Sequence, residues 1–291
     1  MNNRSITRRR FLGSAAGAAA MAWGRPKVFA QAPSSAGGAR LSACIESVFR
    51  SQPFEAALDK VKAVGLDAYE FWGYGGKDLD ALKRKQDELG LTLATFGCDP
   101  RGALVAPDSK GPFVEGLADG IQRAKEMDCT RLLVTVGQER KDISRDAQRA
   151  NIVEALRAGA PLLEEAGITL VVEPLNILVN HRGYFLSQSK EAFQIIDEVG
   201  SSNVKILFDI YHQQISEGNL IANITANIDK IGHFHVADNP GRHEPGTGEI
   251  NYTNVFAAIR KTGFDGFVGM EMWPVGGHAE AVRKTMGFWR G

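Results

Sequence analysis

The chain has 291 residues, 44% of them hydrophobic, with 34 Lys and Arg balanced by 34 Asp and Glu. That is enough apolar material for one large domain with a full core, and the charge balance excludes the basic surface that nucleic acid requires of a partner. Three cysteines, Cys44, Cys98 and Cys129, exclude a disulfide framework.

The first 32 residues read as an export signal. Thr7-Arg8-Arg9-Arg10-Phe11-Leu12 fits the twin-arginine pattern, and an Ala/Gly-rich, weakly apolar stretch follows from Gly13 to Trp23. Val28-Phe29-Ala30-Gln31-Ala32 offers small-residue cleavage sites. The apolar part is too short and too Ala-rich for a membrane span. The twin-arginine export machinery is thus one expected partner, and the periplasm or the exterior the expected location. That route carries folded proteins, which suits a chain that takes up a cofactor before crossing. Six basic and no acidic residues lie in 1–32, so cleavage leaves 28 basic against 34 acidic residues. Residues 33–39 read as a Ser/Gly/Ala linker, and 40–291 as the catalytic domain.

From Arg40 onward, short apolar runs alternate with amphipathic helices. The runs are Leu41–Ile45, Ala68–Phe71, Leu93–Phe96, Leu132–Val136, Thr169–Val172, Val204–Phe208, Ile231–Phe234 and Phe267–Met270. Each reads as a buried parallel strand. Between them, helical segments end at Gly65, Gly90, Gly167 and Gly263, a repeated stop signal. Eight strands and about eight helices in about 250 residues is the arithmetic of a (β/α)8 TIM barrel, an α/β fold. An open doubly wound sheet would carry a Gly-rich phosphate loop after an early strand; Cys44-Ile45-Glu46-Ser47 stands there instead. Cys44 and Cys98, on strands one and three, lie roughly two strand spacings apart, too far to bridge.

Strands five to eight each stop at a potential metal ligand: Glu173, Asp209, His235 and Glu271. In a barrel these strands are neighbours whose carboxyl ends face the active-site mouth. Three carboxylates and an imidazole at one point require a cation. Mostly oxygen ligands with one nitrogen suit a divalent metal ion such as Mn²⁺, Co²⁺ or Mg²⁺ better than a structural Zn²⁺. A single acid at a strand end is ordinarily a helix cap or an ion-pair partner; four on consecutive strands are not explained that way. His233 reads as a hydrogen-bonded core residue.

Secondary candidates surround the cluster. His212, three residues past Asp209, is placed to donate to a substrate oxygen. Arg242, in the Gly/Pro loop Asp238–Glu249, is suited to clamping a carboxylate. Glu249 reads equally as a support for the site or as a helix cap. Glu46, which ends strand one, and Trp72, beyond strand two and suited to walling the pocket, join His212, Arg242 and Glu249 as candidate substrate-binding residues.

Ile45-Glu46-Ser47, Tyr69-Glu70-Phe71-Trp72, Val172-Glu173-Pro174-Leu175-Asn176, Phe208-Asp209-Ile210-Tyr211-His212 and the loop Ala237–Tyr252 resemble the hydroxypyruvate isomerase family. That family lies among the xylose isomerase-like TIM barrels, with ketose 3-epimerases and endonuclease IV as more distant relatives. The resemblance implies that Glu173 and Glu271 are metal-binding acid/base residues, that Asp209 and position 235 complete the metal shell, and that His212 and Arg242 lie at the substrate. Isomerases with this loop often carry Gln where this chain has His235; the epimerases carry His.

The implied chemistry moves a proton next to a carbonyl through an enediolate, in a small hydroxycarbonyl or sugar substrate. Return of the proton to the neighbouring carbon isomerises; return to the opposite face of the same carbon epimerises. Alternatives are a ketose 3-epimerase, a 3-keto-glycoside lyase or hydrolase, and a periplasmic sugar-binding protein, which would normally have two lobes. Homo-oligomerisation is compatible with the sequence and not specified by it.

Overall fold

The computed structural model describes residues 38–50 and 52–291. The twin-arginine segment, its cleavage region and most of the 33–39 linker lie outside the described residues. Strands β1 (Arg40–Cys44), β2 (Ala68–Gly73), β3 (Thr92–Gly97), β4 (Arg131–Val134), β5 (Thr169–Val172), β6 (Val204–Asp209), β7 (Ile231–Val236) and β8 (Phe267–Met270) form one closed parallel barrel in chain order. β8 closes it by pairing with β1, Leu41 opposite Val268.

Among the described residues, ten α-helices wrap the barrel: α1 (Ile45–Val48), α2 (Phe54–Ala63), α3 (Leu79–Leu89), α4 (Lys110–Glu126), α5 (Arg145–Ala166), α6 (Ser189–Val199), α7 (Ile210–Ser216), α8 (Leu220–Ala226), α9 (Tyr252–Lys261) and α10 (His278–Arg290). Their ends are written locally. Asp78 caps α3 by accepting from the Ala81 amide (2.9 Å), and Gly90 ends it in the left-handed region at φ 61°. Ser144 caps α5 from the Ala147 amide (3.2 Å). α5 lies close on α4 because Gly159 has no side chain; a Cβ there would stand 2.6 Å from Leu117 Cδ2. No helix among the described residues is long and apolar enough to cross a membrane.

The strands are largely apolar because helices cover their outer faces while packed side chains fill the barrel. Two boundaries differ from expectation in ways that bear on the site. Ile45, expected to end strand one, begins α1, where the Ser47 hydroxyl donates back to the Cys44 carbonyl (3.3 Å). β7 runs on to Val236, so His235 lies within the strand, on the same face as His233. Cys44, Cys98 and Cys129 are free and buried.

Candidate active site

A cavity of about 660 Å³ opens at the carboxyl ends of the strands. Register places its polar wall. Asp209 pairs with His235 across β6 and β7. Glu173 and Glu271 are the residues just past β5 and β8, and their amides still donate to the neighbouring strands, to Val134 O (3.1 Å) and Val236 O (3.2 Å). One ligand atom from each of Glu173, Asp209, His235 and Glu271 lies within 4.8 Å of the others, and all four residues are buried. The sequence reading brought these four together, and so does the fold.

Two further residues bind the cluster. His235 Nδ1 stands 3.0 Å from Glu271 Oε2 and 3.5 Å from Glu173 Oε1. Arg242 donates from one guanidinium nitrogen to Asp209 (3.1 Å) and to Glu271, with its guanidinium over the Tyr211 ring. Arg242 holds a left-handed backbone (φ 58°), a conformation few non-glycine residues adopt, and so brings its side chain inward from the β7–α9 loop.

Glu70 belongs to the site and was not among the expected site residues. It is 2% exposed, accepts from the Ser42 hydroxyl (2.9 Å), and stands 3.0 Å from Nε2 of both His233 and His235. Gly269 makes room for it: a Cβ there would lie 2.1 Å from Glu70 Oε1. One signal was present in the sequence. An acid sits inside an otherwise apolar strand, and two histidines two residues apart share one face of another strand.

The electrostatics test whether this donor set fits a divalent ion. Four buried carboxylates, Glu70, Glu173, Asp209 and Glu271, face one fixed cation, Arg242. Protons take up part of the imbalance. Burial pushes the Glu173 carboxyl up to about 7. Burial alone would lower His235, but Glu271 and Glu70 raise it well above the usual imidazole range. Burial also works to raise Glu271, yet Arg242 and His235 hold it well below the usual carboxylate range. Glu173 Oε1 and both His235 nitrogens are close to partners but make no well-aligned hydrogen bond. Buried, crowded, under-satisfied oxygen and nitrogen donors of this kind fit a divalent cation. Glu70 at Nε2 would then leave Nδ1 of His235 as the ligand atom, the carboxylate–histidine–metal arrangement.

The remaining expected residues divide. Trp72 lines the cavity, donates from Nε1 to Glu271 and meets Trp273 edge-on at 5.9 Å. His212 lines it, fully buried, with Nε2 3.6 Å from Asp209 Oδ2. His233 is the buried core histidine expected. Two substrate-binding expectations are corrected. Glu46 does not line the cavity; its carboxylate pairs with Lys77 (2.9 Å) and accepts from the Trp72 amide, so it supports the Trp72 backbone from behind. Glu249 is exposed and accepts from Asn239 Nδ2 (2.7 Å) and Gln214 Nε2 (3.3 Å), outside the cavity, because the β7–α9 loop turns it outward. Nor does it cap α9, which Asn251 does through the Asn254 amide.

Comparison with known proteins identifies the fold and its relatives. A family described as "Xylose isomerase-like TIM barrel" matches residues 58–291. Hydroxypyruvate isomerase of Escherichia coli is 35% identical over 242 residues, 81% of this chain and 93% of that protein. 2-Oxo-tetronate isomerase of Cupriavidus necator is 31% identical over 245 residues, 82% and 94% of the respective chains. Among solved structures, an AP endonuclease, family 2, from Brucella melitensis superposes with a TM-score of 0.80 at 28% identity, over 85% of this chain and 98% of its own.

Proposed function

The chain belongs to the xylose isomerase-like TIM barrel family, and from that premise we propose that it is a metal-dependent isomerase of small hydroxycarbonyl acids, interconverting hydroxypyruvate and tartronate semialdehyde. That it is an isomerase of small sugar-like compounds follows from its relatives, hydroxypyruvate isomerase and 2-oxo-tetronate isomerase. The finer reading rests on one observation above all: Glu173 and Glu271, from the two ends of the arc β5 to β8, enter one buried cluster with Asp209 and His235.

Bound at Glu173, Asp209, His235 and Glu271, a divalent ion would supply Lewis acidity toward two vicinal substrate oxygens. The chain's own residues do the rest. Glu173, the glutamate of the cluster that Arg242 does not pair with, is the group placed both to take and to return a proton. It removes the proton next to the carbonyl, leaving an enediolate, exchanges that proton with solvent and protonates the adjacent carbon on the same face, while the hydroxyl proton passes to the former carbonyl oxygen. Glu271, held ionised by Arg242 and His235, is the anchoring carboxylate. It stands across the cluster from Glu173, so return of the proton from its side would epimerise instead. Aldose–ketose exchange on one face needs only one such base, which favours isomerisation over 3-epimerisation. His212 and Arg242 are placed to hold substrate oxygens. The cavity is larger than a three-carbon acid, so four-carbon 2-oxo acids are included in the substrate class. A nuclease reading has less support: the ligand set holds one histidine and the overall charge is even.

The test is to incubate the chain with Mn²⁺ and hydroxypyruvate or a 2-oxo-tetronate, and to follow the products by NMR. Tartronate semialdehyde or the corresponding four-carbon product is expected, with loss of turnover in EDTA. Turnover undiminished after complete metal removal, or none with any of these acids, contradicts the reading.

A further inference from the structure

Among the cavity residues, His212 has its two ring nitrogens in unlike surroundings. Nδ1 faces Asn176, from the loop after β5. The Asn176 backbone amide points at it from 3.3 Å, and the side-chain nitrogen Nδ2 lies 2.6 Å away. The orientation of that side chain is fixed by its other end. Asn176 Oδ1 accepts from the amides of Val179 (3.0 Å) and Asn180 (3.1 Å), which can only donate. The atom facing them is therefore the oxygen, and the NH2 group faces His212. Two N–H donors meet Nδ1, so Nδ1 is an acceptor and the ring proton resides on Nε2. Nε2 is buried in the cavity wall, has no hydrogen-bond partner, and stands 3.6 Å from Asp209 Oδ2. Both Asn176 and His212 are fully buried, so water does not substitute for these contacts.

We propose that Asn176 is a positioning residue that holds His212 in the single Nε2–H tautomer, so that the ring presents a neutral hydrogen-bond donor to a substrate oxygen. In this role His212 does not act as a base or as a metal ligand, since its only nitrogen without a fixed partner carries the hydrogen. A donor placed where negative charge grows on the carbonyl oxygen stabilises the enediolate without transferring a proton. The loop geometry serves the same end: one amide side chain closes a turn with its oxygen and sets a tautomer with its nitrogen. The donor's target rests on the isomerase reading above; the tautomer does not.

Asn176→Asp separates these claims. It keeps the volume and the oxygen that closes the turn, but presents an acceptor to Nδ1. Long-range ¹H–¹⁵N spectra of the Mg²⁺-loaded whole chain, labelled in histidine, report which ring nitrogen carries hydrogen; His212→Gln identifies the signal. The wild type should show Nε2–H alone, and Asn176→Asp should place hydrogen on Nδ1. With turnover measured on hydroxypyruvate, kcat should fall about 10²–10³-fold in Asn176→Asp, with a smaller change in KM. Should that variant not fold, Asn176→Ala takes its place, with loss of the single tautomer expected. A wild-type ring protonated on Nδ1, or a mixture of tautomers, overturns the proposal. So does an inverted tautomer with kcat/KM within about threefold of wild type. If the wild type turns over no hydroxycarbonyl acid, the isomerase reading fails on its own, and oxalate, a planar dioxygen analogue of the enediolate, decides this one. A shift of the Nε2–H resonance on oxalate binding upholds it, and an unmoved resonance overturns it.

Discussion

At the scale of single residues, the site is a set of protonation states imposed by burial. In the metal-free chain, Glu173 is raised to about 7, so between the ordinary carboxylate value and 7 the folded chain holds a proton that the unfolded chain releases. Its contribution to stability is present at low pH and lost as pH rises through that window. His212 and His233 act oppositely. Burial lowers both to about 4, so from about 6.5 downward the unfolded chain gains protons that the folded chain refuses, and stability is lost on acidification. The two histidines outweigh Glu173, so acidification from pH 6.5 to 4.5 should lower stability, by something on the order of 2 kcal/mol. Urea unfolding of the EDTA-treated chain at both pH values measures this; a chain more stable at 4.5 contradicts it. Glu70 belongs to the same scale. Glu70→Gln keeps its volume but puts an N–H donor against the His233–His235 pair, so metal affinity should fall about 10–100-fold. Calorimetric titration with Mn²⁺ would show no change if Glu70 merely filled space.

At the scale of elements, the ends of β5 to β8 carry the ligands, and the β7–α9 loop carries Arg242. Asp238 organises that loop. Its buried carboxylate accepts from the amides of Asn239 (2.9 Å), Gly246 (2.8 Å), Thr247 (3.1 Å), Gly248 (3.0 Å) and Ile250 (3.1 Å). Asp238→Ala orphans these amides and should destabilise the chain by about 3 kcal/mol or more, with KM raised because Arg242 loses its frame. Unaltered stability would show that the loop is held elsewhere. This scale also separates what the sequence makes legible from what it does not. Glu173, Asp209 and Glu271 are readable because each ends an apolar run, and a barrel aligns such ends at one mouth. Glu70 is not, because its role depends on Gly269 and on two histidines five strands further along the chain. Glu46 and Glu249 looked alike at sequence level, as acids near strand ends or in the functional loop. What sends them elsewhere is a lysine 31 residues away for Glu46 and the outward turn of a loop for Glu249. Strand ends are fixed by local pattern, whereas side-chain partners are fixed by tertiary register.

At the scale of the whole molecule, one closed barrel concentrates buried negative charge at its mouth, and folding before metal uptake carries an electrostatic cost that metal would relieve. We propose that residues 1–32 act as a twin-arginine signal and that the chain is exported folded with its ion. Replacing Arg8 and Arg9 by Lys should retain the protein in the cytoplasm on fractionation; unaltered export would sink that proposal. The central claim is that Glu173 carries the proton in an isomerisation. The most direct measurement is turnover of hydroxypyruvate in deuterated water by the Mn²⁺-loaded chain and by its Glu173→Gln variant. The wild type should place solvent deuterium on the carbon that receives the proton, and Glu173→Gln should reduce that exchange about 10²–10⁴-fold while remaining folded. Product formed by the wild type without any solvent deuterium, or exchange that persists in Glu173→Gln, would contradict the account.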